Sequence, residues 1–199
     1  MRILGIVGSP RKNGNTEILV KEALSSAHNY GADTEVINVS ERNITSCDGC
    51  ESCNLTGKCH IDDGMQDIYR KLLQSDGIIF GSPVYYWSVT AQIKALIDRT
   101  FAFKRKKQLR NKVAGAIVVL RGSGASFALS TLNNYFNLQG MIPARSIGSR
   151  TEEELAIERG YGVIAFADKR GEVKENKEAI MAAQALGKAI VETLQTVKY

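Results

Sequence analysis

The chain opens with Arg2-Ile-Leu-Gly-Ile-Val-Gly-Ser-Pro-Arg-Lys-Asn-Gly-Asn-Thr16, near the start of its 199 residues. The apolar run over 2–8 is typical of a strand that is buried on both faces. A loop rich in glycine, serine and asparagine follows it. A helix then begins, and its inward stripe consists of Ile18, Leu19, Ala23, Leu24 and Ala27. A strand, a polar loop and a helix in this order indicate an anion site, because the N–H groups of the loop and of the helix start point at the ligand.

The loop carries five side chains suited to a phosphate group. They are Ser9, Arg11, Asn13, Asn15 and Thr16. The loop matches neither a Walker A motif nor the G-x-G-x-x-G dinucleotide fingerprint. The alternative is a polar turn in which Asn15 or Thr16 is an ordinary helix N-cap. We expect phosphate binding at this loop, and both interpretations are compatible.

Strands and helices alternate through the rest of the chain. The pattern predicts strands at 34–39, 77–83, 113–120 and near 142–147. It predicts helices at 65–75, 89–101, 127–139 and 176–197. Leu73 and Phe101 are predicted to face inward on two of these helices. Thr151 to Glu154 are expected to open a short helix, and 163–167 a short strand. This alternation predicts an α/β, doubly wound, five-stranded parallel sheet in the flavodoxin-like order 2-1-3-4-5, with helices on both faces.

Two further loops should lie at the same sheet edge as the first. In this strand order, ligands bind where the first and third strands end. The third strand leads into Pro83, Val84, Tyr85, Tyr86 and Trp87, which we expect to contact a planar ring, although these aromatics could instead cap the core or fill a subunit interface. The fourth strand leads into Gly122, Ser123 and Gly124, which either contact the ring edge or form a simple turn.

All four cysteines of the chain lie in one short segment. Cys47, Cys50, Cys53 and Cys59 are spaced C-x2-C-x2-C-x5-C, inside a loop at about 44–62 that follows the second strand. Three thiolates at intervals of three resemble the cysteine run of ferredoxins, so we expect one [4Fe–4S] cluster. Structural zinc is the main alternative, although its cysteines usually come in two separated pairs. Disulfides or a redox-active C-x-x-C pair are less consistent with the spacing.

Composition and charge exclude several classes of protein. Hydrophobic residues make up 44% of the chain and charged residues 24%, as expected for a single globular domain over 1–199. No apolar run approaches the roughly 20 residues of a membrane span, and no signal sequence is recognisable, so we expect a cytoplasmic protein without a membrane partner. A net charge of +5 is too small to indicate nucleic-acid binding.

The strongest local charge lies at 104–107, which reads Lys-Arg-Lys-Lys. Such a run is usually a solvated connection. The alternative is a docking patch for an acidic electron carrier.

The segments Gly8 to Thr16 and Gly81 to Tyr85 resemble those of the NADPH-dependent FMN reductase group of flavodoxin-like proteins, and the compact cysteine motif resembles that of its iron–sulfur flavoproteins. The resemblance implies FMN, with its phosphate held by Ser9, Arg11, Asn13, Asn15 and Thr16 and its ring contacted by 83–87 and 122–124. It also implies a [4Fe–4S] cluster on the four cysteines. It further implies a homodimer or homotetramer in which the cluster of one subunit lies near the flavin of another.

The function that we expect is electron transfer from a low-potential donor such as ferredoxin, through the cluster, to FMN and on to an acceptor. No acid–base pair or nucleophile stands out, so no catalytic side chain is predicted. The alternative is an NAD(P)H-dependent flavin or quinone reductase whose metal loop is structural. A redox or metal sensor is a third possibility, although no effector segment is recognisable.

Overall fold

The computed structural model describes residues 1–144 and 162–197. The strands are β1 (Arg2–Val7), β2 (Asp33–Asn38), β3 (Gly77–Pro83), β4 (Val113–Leu120), β5 (Ile142–Pro143) and β6 (Val163–Phe166). The α-helices are α1 (Asn15–Asn29), α2 (Ser52–Thr56), α3 (Met65–Gln74), α4 (Ala91–Arg99), α5 (Phe101–Lys104), α6 (Ala125–Gln139) and α7 (Lys177–Val197), and short 3₁₀ turns cover Val39–Glu41 and Glu172–Glu175.

The strands form one parallel sheet in the order β2-β1-β3-β4-β5, which confirms the predicted doubly wound topology. β4 is buried along its whole length, and β1 and β3 are buried except at one end. These three central strands have helices on both faces, which is why their sequences are continuous apolar runs rather than alternating ones.

The fifth position of the sheet is shared by two short strands. β5 pairs with Val113 and Ala114 at the start of β4, and β6 pairs with residues 117–120 at its end. The chain between them includes 145–161, which lies outside the described residues, as does the helix predicted from Thr151. The strand predicted at 163–167 is confirmed, and the sheet therefore has six strands rather than five.

Two hydrophobic layers flank the sheet. One face packs on α3, α4 and α6, with Phe80, Leu96 and Phe136 among its buried residues. The opposite face packs on α1 and α7 through residues such as Leu19 and Ile190. The cysteine loop belongs to the first layer, since Cys53 and Cys59 pack against it.

Two predicted inward positions are wrong. Leu73 is 39% exposed, and Tyr69 takes the inward place on α3 instead. Phe101 is 37% exposed, because the predicted helix ends at Arg99 and a new turn starts after Thr100. In the described ranges, no helix combines the length and the apolar character needed to cross a bilayer.

Candidate functional site

Thr90 joins the ends of the first and third strands. Its hydroxyl donates to the carbonyl oxygen of Gly8 at 2.8 Å, and its N–H donates to the Ser82 hydroxyl at 3.0 Å. Gly8 must be small here, because a Cβ at this position would lie 2.0 Å from Ile93 Cγ1. The two strand ends and the start of α4 thus form the floor of a crevice at the switch point of the sheet, where ligands bind in open parallel sheets.

The loop after β1 forms one wall of this crevice. Asn13 has a left-handed φ of 51°, and its N–H donates to Glu17 Oε2 at 2.6 Å. Burial would raise the pKa of Glu17, but the Lys21 ammonium and the Asn13 N–H outweigh burial and lower it. Glu17, in the first turn of α1, is therefore ionised and stabilises the loop by accepting from the Asn13 N–H.

Four predicted phosphate residues remain available for a ligand, because the Asn13 contact uses its backbone N–H and leaves its side chain exposed. Ser9 is buried, and its hydroxyl accepts from the Arg11 N–H at 3.2 Å. Thr16 is buried at the start of α1, and the described residues give its hydroxyl no partner. The Arg11 side chain is exposed and likewise has no partner within the described residues. A phosphate at this helix start would meet free N–H groups, a hydroxyl and a charge.

Asn15 has a structural contact that the sequence did not indicate. Its side-chain nitrogen donates to the carbonyl of Lys169 at 2.9 Å, and its side-chain oxygen accepts from the Val173 N–H at 3.3 Å. Arg170 also donates to the Lys12 carbonyl. The N-cap of α1 is Gly14, without a side-chain cap, so neither Asn15 nor Thr16 fills that role. The segment after β6 therefore packs against the loop after β1 and the start of α1.

The loop after β3 is a tight two-residue turn. Tyr85 and Ser88 exchange N–H···O hydrogen bonds of 2.9 and 3.0 Å, and the central residues Tyr86 and Trp87 have positive φ of 44° and 64°. Asparagine and glycine usually occupy such positions, so two aromatics there are strained. The turn presents Tyr85, Tyr86 and Trp87 to solvent.

The loop after β4 packs against that turn. Gly124 has φ +96°, and a Cβ there would lie 2.8 Å from Trp87 Cα. The Trp87 ring stacks on Phe127, with 5.1 Å between ring centroids. The structure therefore brings the loops at 8–16, 83–88 and 122–124 to one edge of the sheet, and the last two form one aromatic wall.

The four cysteines line one cavity of about 490 Å³. Its other walls come from the end of α4, from α5 and from the end of α6. All four thiols are free of disulfides. Burial raises the pKa of Cys53, and negative charge on the other three cysteines adds to the rise, against an opposing backbone hydrogen bond. A cationic metal group in the cavity would favour the thiolate form of these cysteines.

The sulfurs surround the cavity rather than a single point. Among the described residues, the ligand atoms that lie within 4.8 Å of one another belong to the trio Asp48, Cys50 and His60, and no three of the four sulfurs form such a group. Zinc at about 2.3 Å from each sulfur would bring the sulfurs within about 4 Å of each other. As they stand in the described structure, the sulfurs are therefore not gathered around a single zinc position.

A buried ion pair that sequence reasoning missed closes the base of the cysteine loop. Arg99 donates to Asp63 at 2.8 and 3.1 Å, and also to the carbonyl oxygens of Thr45 and Ile61 at 2.7 and 3.2 Å. Asp63 in turn accepts from the N–H groups of Thr45 and Met65. Both ends of the loop are thereby tied to α4, although no local pattern links a residue of α4 to a loop 36 positions away.

The basic stretch touches the cysteine loop from outside. Arg105 donates to the carbonyl of Asn54, and the Lys106 side chain lies against Gly57. Lys104 lines the cavity. The predicted basic segment is therefore beside the cysteine cavity, on an exposed face of the protein.

Comparison with known proteins gives the family of the chain. The family model for NADPH-dependent FMN reductases matches residues 1–152. An iron–sulfur flavoprotein of Methanocaldococcus jannaschii is 36% identical over 200 residues, covering 100% of both chains. Another, from Archaeoglobus fulgidus, is 34% identical over 98% of this chain and 81% of its own.

A solved structure agrees with the fold. The flavodoxin, WrbA-like protein of Agrobacterium tumefaciens has a TM-score of 0.65 at 15% identity, and the match covers 98% of both chains. At that identity the likeness concerns the fold alone. Fold, family model and full-length relatives agree, and the chain belongs to the iron–sulfur flavoproteins of the NADPH-dependent FMN reductase family.

Proposed function

We propose that this protein is a redox flavoprotein that takes electrons from a low-potential, ferredoxin-like donor and delivers them to an acceptor, with a [4Fe–4S] cluster and FMN as its redox groups. The observation that carries the proposal is the convergence of Cys47, Cys50, Cys53 and Cys59 on one cavity of about 490 Å³. When bound, the cluster supplies one-electron exchange, and FMN supplies one- or two-electron exchange.

The crevice supports FMN as the second group. Arg11, Thr16 and the free N–H groups at the start of α1 fit a terminal phosphate. The turn at 84–88 and the loop at 122–124 supply a wall on which a planar ring can lie. Asn13 and Asn15 would hold the loop in shape through their contacts with Glu17 and with residues 169–173.

The positions of the two sites favour a homodimer or homotetramer. Thr90 begins α4 at the crevice, whereas Ile97 to Lys104 line the cysteine cavity. At 1.5 Å per residue, the two ends of α4 are about 13 Å apart. The aromatic turn and the cysteine cavity thus lie near opposite ends of α4, and a second subunit could bring its cavity to this turn.

The exposed charge beside the cavity supports an acidic electron donor. Lys104, Arg105 and Lys106 surround the loop that carries the cysteines. Such a patch steers a negatively charged carrier to the place where electrons enter. We also propose a cytoplasmic location, since four free cysteines fit a reducing compartment. Another carrier, a quinone, oxygen or peroxide would serve as acceptor.

The first test is the content of iron, acid-labile sulfide, zinc and FMN per subunit in anaerobically purified protein. About four irons, four sulfides and one FMN are expected. Zinc with FMN and without sulfide would overturn the cluster. It would favour the second candidate, an NAD(P)H-dependent reductase with a structural metal loop.

Cys53→Ala tests the use of the cluster. The variant should keep FMN and lose flavin reduction by reduced ferredoxin, as followed by the visible spectrum. Leu55→Ala is the matched control, because Leu55 lies on the same short helix and is 87% exposed. Full ferredoxin-dependent reduction in Cys53→Ala would show that the cysteines are not on the route of the electrons.

A further inference from the structure

Arg99 is buried completely and uses four of its five N–H donors. Its side chain is 0% exposed. The two terminal nitrogens donate to Asp63, Thr45 and Ile61, in four hydrogen bonds of 2.7 to 3.2 Å. The fifth donor, the Nε–H, is buried and has no partner within the described residues. A buried unpaired donor is costly, more so on a charged group, so this one points to a missing acceptor.

The place of Arg99 points to an acceptor in the cysteine cavity. Arg99 forms part of the wall of that cavity, together with Cys59. None of the cysteine sulfurs accepts from its Nε–H in the described structure, so the missing acceptor is an atom of the group that the cavity would hold. Asp63 accepts from both terminal nitrogens and pairs with the charge of the guanidinium.

We propose that the Arg99 Nε–H donates a hydrogen bond to a sulfur of the cluster that this cavity would hold, and that this bond raises the reduction potential of the cluster. The proposal rests on the cluster proposed above. Reduction adds one negative charge to the cluster, and a charged donor on one of its sulfurs stabilises that charge. Arg99 is therefore a positioning residue with two roles. Its two terminal nitrogens hold the ends of the cysteine loop, and its Nε–H adjusts the reduction potential of the cluster.

Tyr135 is a second buried donor that lines this cavity. Its hydroxyl has no hydrogen-bond partner in the described structure. It is neutral and lies on α6, whereas Arg99 is charged, so Arg99 should have the larger effect on the potential.

The direct test uses the wild-type holoprotein with ¹⁵N-labelled arginine. Pulsed EPR of the reduced cluster should show a hyperfine coupling from one arginine nitrogen. The coupling should vanish in Arg99→Lys and persist in Arg105→Lys. Arg105 is the matched control, because it donates to the carbonyl of Asn54 in the same loop but lies on the surface.

The second readout is the midpoint potential of the cluster. Arg99→Lys keeps the charge that pairs with Asp63 but lacks the Nε–H. We expect its equilibrium constant for cluster reduction to fall about tenfold, which is about 59 mV for one electron. Arg105→Lys should keep the wild-type potential.

The outcomes separate this inference from the proposed function. A reduced cluster without an arginine coupling, or an unchanged potential in a loaded Arg99→Lys protein, overturns the role of Arg99 alone. Wild-type protein without any cluster signal overturns both. If Arg99→Lys fails to fold, the labelled wild-type protein is compared with labelled Arg105→Lys. An arginine coupling in both proteins supports the role of Arg99, and its absence from either one overturns that role.

Discussion

At the scale of single residues, the crevice depends on side chains that link elements distant in the sequence. Thr90 is the clearest case, since one hydroxyl accepts from Ile93 at the start of α4 and donates to Gly8, 82 positions away. Asn15 acts in a similar way between the first loop and the segment after β6. These contacts position the walls of the crevice, whereas the side chains of Arg11 and Thr16 have no partner within the described ranges.

Thr90→Val should lower the free energy of unfolding by about 1–3 kcal/mol, because a helix cap is lost and the buried Gly8 carbonyl loses its donor. Denaturant unfolding measures the change. Thr90→Ser keeps the hydroxyl and should stay close to the wild type. Equal losses in both variants would show that the methyl group, and not the hydrogen bonds, matters at this position.

Arg11→Ala should weaken FMN binding by about 1.5–3 kcal/mol, if its guanidinium bonds the charged phosphate. Fluorescence titration of flavin-free protein measures the affinity. Lys12→Ala is the control, since the neighbouring Lys12 ammonium pairs with Glu41 at 2.9 Å. Equal affinity of wild type and Arg11→Ala would remove Arg11 from the site.

At the scale of elements, α1 and α7 approach each other closely on the face opposite to the cysteine loop. A Cβ at Gly187 would lie 2.0 Å from the carbonyl oxygen of Ala23 and 3.1 Å from the Ala27 nitrogen. The atoms of α1 at this contact belong to its backbone, which cannot move aside as a flexible side chain can. The glycine of α7 therefore sets how tightly these helices cover the sheet behind the first loop.

Gly187→Ala should destabilise the protein by about 1–3 kcal/mol through overpacking, although alanine is the better helix former. Thermal and denaturant unfolding would show the loss. Gly122→Ala is the control, because no atom lies within 4 Å of a Cβ there and its φ is not positive. A gain in stability for Gly187→Ala would mean that the helices separate without cost.

At the scale of the whole molecule, the two faces of the sheet carry different elements. One face carries the cysteine cavity with the basic stretch beside it, and the other carries α1 and α7. The crevice lies at the edge between them, at the carboxyl ends of the strands. The basic stretch proposed to dock a donor and the crevice proposed to bind FMN are thereby separated on the surface of a protein with a net charge of +5.

Lys106→Glu should slow the second-order reduction by ferredoxin about threefold or more at low salt, and the difference should shrink above about 0.1 M ionic strength, where charges are screened beyond about 10 Å. Stopped-flow measurements over a salt series test this. Lys188→Glu makes the same charge change on α7, on the opposite face, and should have a much smaller effect. Equal slowing by both would indicate net charge rather than a docking patch.

The amino-acid sequence by itself predicted the strand order and pointed to both candidate sites, including the four clustered cysteines, because buried strands, glycine-rich loops and cysteine spacing are local patterns. Only the tertiary structure decided that Arg99 and Asp63 close the cysteine loop, that Asn15 binds residues 169–173, and that β5 and β6 share one edge of β4. Each of these joins groups far apart in the chain. A local pattern reports which side chains are apolar or polar, but the partner of a buried charge or amide depends on how the elements pack.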